Sequence, residues 1–219
     1  MKQYTKATEF IESENPEISE LAERIVGGES TDNERTRRLF YFVRDKISFR
    51  SVYFNYLPKE EFKATVTLGR GYGFCIMKAV LLISFLRSQK IPSRFVTAEI
   101  RHHQLPERVK EGLKSNVILH GFAEAFLGEK WIKLNPTFDL SYCETMGYCP
   151  TEFDGEKDAL FHPVDRKGKK LIEYLSIVGH YEDFPYDFFL GYLRGKYGIL
   201  DRLFFEEVNK GGIFYKGWS

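Results

Sequence analysis

Eight consecutive residues, Ala79 to Leu86, read A-V-L-L-I-S-F-L and contain one polar side chain, Ser84. They continue a helical segment that starts at Cys75 and runs to about Ser88. Val80, Leu81, Leu82, Ile83, Phe85 and Leu86 cover nearly every side of it. A helix apolar all round has no solvent face, so it must lie at the centre of the molecule with other elements packed about it. The run is far too short to span a membrane. Gly71-Tyr72-Gly73-Phe74 leads into it and Ile91-Pro92 ends it. The first helical residue is a cysteine. The unpaired N–H groups and the dipole at a helix N-terminus favour negative charge, so a thiolate is stabilised there.

What surrounds this helix is partly legible. Residues 16 to 26 place apolar side chains at helical intervals, and Gly27-Gly28 stops that helix. Thr31 or Asp32 caps a second helix, running through Leu39, Phe40, Phe42 and Val43 toward Ile47. Residues 48 to 70 read as irregular. Three strands are expected at Arg94–Ile100, Val117–Leu127 and Trp131–Asn135, the last two joined by a tight turn at Gly128-Glu129. Residues 101 to 115, with His102, His103 and Pro106, form a polar excursion, and the His pair reads as solvated. From 138 to 185 the chain reads mostly as loop, with a strand near Ile172–Val178. Residues 186 to 208 look helical and glycine-interrupted.

The hairpin carries a geometric consequence. With a two-residue turn, Leu127 faces Lys130, Phe122 faces Asn135 and His120 faces Thr137. His120 and Asn135 then point to the same side as diagonal neighbours, roughly 7–8 Å apart at the backbone. A cysteine at a helix start, a histidine on a strand and an asparagine beside it suit a nucleophile, a general base and an orienter.

Composition removes competing classes. A chain of 219 residues with 43% hydrophobic residues can bury its own core, so no staple is required. A net charge of +1 gives no reason to expect a nucleic-acid partner. The N-terminus shows no apolar leader and the chain has three cysteines, which together predict a cytoplasmic protein in a reducing compartment. Cys143, Cys149 and His162 match no standard zinc spacing and read as structural. No cofactor is expected.

Four blocks resemble the transglutaminase-like core of the papain-like cysteine peptidase superfamily. They are G-F-C at Gly73–Cys75, L-R-S-Q-K-I-P-S-R at Leu86–Arg94, H-G-F-A-E-A-F at His120–Phe126 and W-I-K-L-N-P-T at Trp131–Thr137. The helix ending in D-K-I-S-F, Asp45–Phe49, resembles the family's first helix. The resemblance covers about Thr36 to Thr137. It implies an α+β fold in which a central helix carrying the Cys packs on a small antiparallel sheet. It also implies acyl transfer through a thioester at Cys75, with His120 as base and Asn135 as orienter, on a peptide, protein or small amide.

Two departures stand out: Asn135 occupies the position usually held by Asp, and His120-Gly121-Phe122 replaces the usual His-Ala-Trp. No Trp precedes Cys75. The indole donor to the oxyanion of animal crosslinking transglutaminases is therefore missing, which leaves the Cys75 N–H as one donor and Tyr53, Tyr56 or Tyr72 as candidates for the other. The division that follows is an N-terminal helical segment (1–35), a catalytic core (36–140) and an aromatic-rich C-terminal extension packed on it (141–219). The alternative reading is a catalytically silent binding module on the same fold. Oligomeric state is not encoded in any legible feature.

Overall fold

The structure is a computed structural model that describes residues 1–50, 58–105 and 107–197. Tyr53, Tyr56, Pro106 and Trp218, and the part of the expected last helix beyond residue 197, lie outside the described residues.

Helix α1 (Pro16–Val26) starts at Asn15, whose side chain accepts the N–H of Glu17, and ends at Gly27 in the left-handed region. Helix α2 (Asp32–Lys46) is capped by Thr31, whose hydroxyl accepts the N–H of Glu34. Strand β1 (Ser48–Phe49) pairs in parallel with β2 (Tyr72–Gly73). Between them lies a helix that the sequence did not announce, α3 (Ala64–Arg70). Its A-T-V-T-L-G-R is poor in helix formers. The helix stands because Ala64 and Thr67 are buried against its neighbours, so tertiary packing overrides propensity.

Helix α4 (Cys75–Ser88) is the central one: every residue from Ile76 to Arg87 is buried. Two charged side chains in that run are paired with carbonyls rather than carboxylates. Arg87 donates to Ser93, Lys6 and Glu182 carbonyls. Lys78 donates to the carbonyls of Arg44 and Ile47 at 3.0 and 2.6 Å, satisfying orphan groups at the end of α2.

Helix α4 packs on a four-stranded antiparallel sheet of order β5-β4-β3-β6, built from β3 (Ser93–His102), β4 (Val117–Leu127), β5 (Lys130–Leu134) and β6 (Ile172–Tyr181). The expected fold class and the β4–β5 hairpin are both present. Leu127 pairs with Lys130, and Gly128 and Glu129 both have positive φ, as this turn requires. Phe95, Leu119, Ala123, Ala125, Ile132 and Leu134 line the α4 face. Val96, Ala98, Ile100, His120, Phe122 and Tyr174 occupy the other face.

Three local expectations are corrected. A short helix α5 (Glu107–Leu113) follows β3, which extends to His102. His102 is buried, not solvated, its Nδ1 accepting the N–H of Gln104. Helix α6 (Leu140–Met146), capped by Asp139, occupies ground that reads as loop. Helix α7 (Tyr186–Tyr197) follows β6 and contributes Phe189, Leu193 and Tyr197 to the main core.

Candidate active site

Cys75 is the first residue of α4. Phe74 before it offers no side-chain cap, so the first N–H groups of the helix are not taken by a capping side chain. The helix reaches β4 at Gly121. A Cβ there would stand 2.6 Å from Phe95 Cζ and 2.9 Å from Ile76 Cγ1, so only glycine permits this approach. Strand β5 leaves β4 after the Ala123–Leu134 pair. Just beyond that point the Cys75 sulfur lies against the backbone N–H of Gly121 and the N–H groups of Ile76 and of Cys75 itself. These donors favour thiolate, yet burial outweighs them and pushes the thiol up to about 11. Cys75 itself keeps a partly exposed edge.

His120, the residue before Gly121, is buried among Phe161, Phe122 and Tyr174, with ring centroids at 5.0, 5.9 and 6.2 Å. That apolar surround pulls its pKa down to about 3, against an interaction in which the ring N–H donates to Asn135, which favours the protonated ring. Its Nε2 is nonetheless buried without a hydrogen bond of regular geometry. Contacts of this kind are often long at rest and tighten when substrate binds. The helix N-terminus therefore does not hold a thiolate ready. Desolvation dominates and favours the neutral form of both groups, a thiol and a neutral imidazole.

Asn135 is fully buried. Its backbone N–H donates to Ala159, which draws the chain away from β4. Thr137 Oγ1 donates to Asn135 Oδ1 at 2.5 Å, and Asn135 Nδ2 donates to Tyr174 Oη at 3.4 Å. Tyr174, on β6, also takes a hydrogen bond from the backbone of Phe161 and lies close enough to Cys75 to feel its charge. So Cys75, His120 and Asn135, distant in sequence, converge on one end of β4. Asp139, the nearest other carboxylate in sequence, is committed elsewhere: its two oxygens accept the N–H groups of Phe49 and Tyr142.

The Tyr72 ring is covered by the guanidinium groups of Arg50 and Arg70 at 4.5 and 5.0 Å. Cys143 is buried in the aromatic cluster of Phe138, Tyr148 and Phe161, Cys149 is partly exposed, and neither is in a disulfide. His162 contacts the Pro150 carbonyl. Among the described residues, no group of three or more His, Cys, Asp or Glu is arranged to hold a metal. Among them also, no helix is long and apolar enough to cross a membrane.

The sequence of residues 19–136 matches the Transglutaminase-like superfamily. The chain belongs to the transglutaminase-like superfamily. No curated protein matches it. Solved structures that resemble this transglutaminase-like chain include a candidate cysteine protease from Cytophaga hutchinsonii, at 16% identity, TM-score 0.48, 81% of this chain and 53% of that one. The periplasmic domain of TgpA from Pseudomonas aeruginosa follows at 17%, 0.41, 56% and 42%. Red sea bream transglutaminase follows at 15%, 0.38, 54% and 26%. The chain spans about half of the first of these and less of the others. Since all three TM-scores fall below 0.5, membership rests on the sequence match. That match stops at Pro136, so Thr137, Phe161 and Tyr174 lie beyond it. Thr137 closes a recognisable block, but no sequence signal singles out Tyr174, because its pairing with β3 is a long-range contact.

Proposed function

We propose that this chain is a cysteine-dependent acyl-transfer enzyme acting on a peptide, protein or small amide, with Cys75 as nucleophile, His120 as general base and Asn135 as orienter. The observation that carries the reading is that α4, which begins at Cys75, meets β4 at Gly121, the residue after His120, at the point where β5 runs on to Asn135. Attack begins from the neutral pair. As the sulfur bonds to the substrate carbonyl carbon, His120 takes the thiol proton and the carbonyl π pair moves to oxygen. The Cys75 N–H at the helix start stabilises that oxyanion. Collapse breaks the C–N bond, the amine leaves with the proton from His120, and a thioester remains. Water or an amine then attacks the thioester, giving its proton to His120, which returns it to the Cys75 sulfur. Water yields hydrolysis and an amine yields transamidation.

Intact-mass analysis after exposure to a set of activated acyl esters tests this. Wild type gains one acyl group on Cys75, Cys75→Ala gains none, and His120→Ala acylates far more slowly. A chain that stays unmodified by every ester while binding peptides would be the silent module instead.

A further inference from the structure

An asparagine in place of the family's usual Asp creates a requirement that a carboxylate lacks. Either oxygen of a carboxylate can accept from imidazole, whereas an amide turned the wrong way presents N–H groups to the ring. Two hydroxyls grip this amide. The 2.5 Å separation at Thr137 suits O–H···O and is too short for N–H···O, and the 3.4 Å separation at Tyr174 lies on the long side, where the amide nitrogen belongs. Tyr174 is held in turn by the Phe161 backbone and by edge-on ring contacts with His120 and Phe122, both at 6.2 Å. Burial keeps its hydroxyl protonated well beyond the usual phenol range, so the grip does not change with pH.

We propose that Tyr174 on β6, acting with Thr137, is a positioning residue that holds the Asn135 amide with its oxygen turned toward His120. The inference rests on Asn135 as orienter, and it gives β6, beyond the matched residues 19–136, a part in the site.

The test is a double-mutant cycle of Tyr174→Phe in the wild-type and Asn135→Asp backgrounds, using an ester that acylates Cys75. In wild type, Tyr174→Phe should lower kcat about ten- to a hundredfold with KM held within about twofold. The acid limb of kcat/KM should move down, because His120 loses the oxygen that favours its protonated form. In Asn135→Asp the same change should alter kcat by less than about threefold, since a carboxylate needs no turning. By NMR, the Asn135 side-chain amide protons should exchange at least about tenfold faster in Tyr174→Phe than in wild type. An equal loss in both backgrounds would overturn the proposal, as it would place Tyr174 on the reacting atoms or the fold. Unchanged amide exchange would also overturn it. Should wild type fail to acylate at all, the acyl-transfer reading falls, and the exchange measurement still decides whether Tyr174 holds the amide.

Discussion

Gly121→Ala is the substitution that most directly tests how α4 meets β4. The added methyl would lie 2.6 Å from Phe95 Cζ, 2.9 Å from Ile76 Cγ1 and 3.4 Å from Ile76 Cα, with ordinary contact beginning at 3.4 Å. Phe95 must therefore withdraw by 3.4 − 2.6 = 0.8 Å and Ile76 Cγ1 by 3.4 − 2.9 = 0.5 Å. Both residues are buried, Phe95 against Phe184, so neither has space to retreat. Overpacking of this kind costs about 1–3 kcal/mol. Ile76 follows Cys75 and Gly121 follows His120, so whatever shift relieves the clash changes the Cys75–His120 separation. A displacement approaching 1 Å costs on the order of a hundredfold in rate. Urea melts followed at unchanged m, alongside kcat/KM for ester hydrolysis, measure the two effects separately. A stability loss under about 0.5 kcal/mol together with wild-type kcat/KM would mean that α4 does not rest on Gly121, and the argument for the site would fail with it.

Three further outcomes are expected. Asn135→Asp should remain active and raise the acid limb of kcat/KM by about two pH units, the worth of a unit charge about 5 Å from the ring at an effective dielectric of about 20; a limb that does not move would separate Asn135 from His120. Leu82→Ala, at a fully buried position in α4, should cost about 2–5 kcal/mol in denaturant melts, and a loss below about 1 kcal/mol would contradict the central placement of that helix. Burial lowers Lys78 to about 7 in the folded protein, below its ordinary value of 10.5, so between those values the unfolded chain binds more protons and stability rises with pH. Lys78→Met should remove that rise, so the stability of wild type minus that of the variant should increase from pH 7 toward pH 10; a pH-independent difference would mean that Lys78 is not depressed.

The sequence by itself determined the centre of this protein. An all-apolar helix can only be buried, and a glycine-containing two-residue turn between β-favouring runs sets the parity of the hairpin. Those two local signals placed Cys75 at a helix start and turned His120 and Asn135 to one face before any contact was known. Helices α3 and α6 were not legible, because A-T-V-T-L-G-R and L-S-Y-C-E-T-M carry weak propensities and are stabilised by what they pack against. Tertiary structure alone decided the electrostatics. A helix N-terminus argues for a thiolate and a protonated partner, but the degree of desolvation depends on what covers the site, and His120 is covered by Phe161 and Tyr174, brought in from beyond the hairpin. The same long-range pairing of β6 with β3 sets Tyr174 against Asn135. Periodicity reports which face a side chain takes, whereas the identity of its partner across the sheet depends on the order of strands that no local pattern encodes.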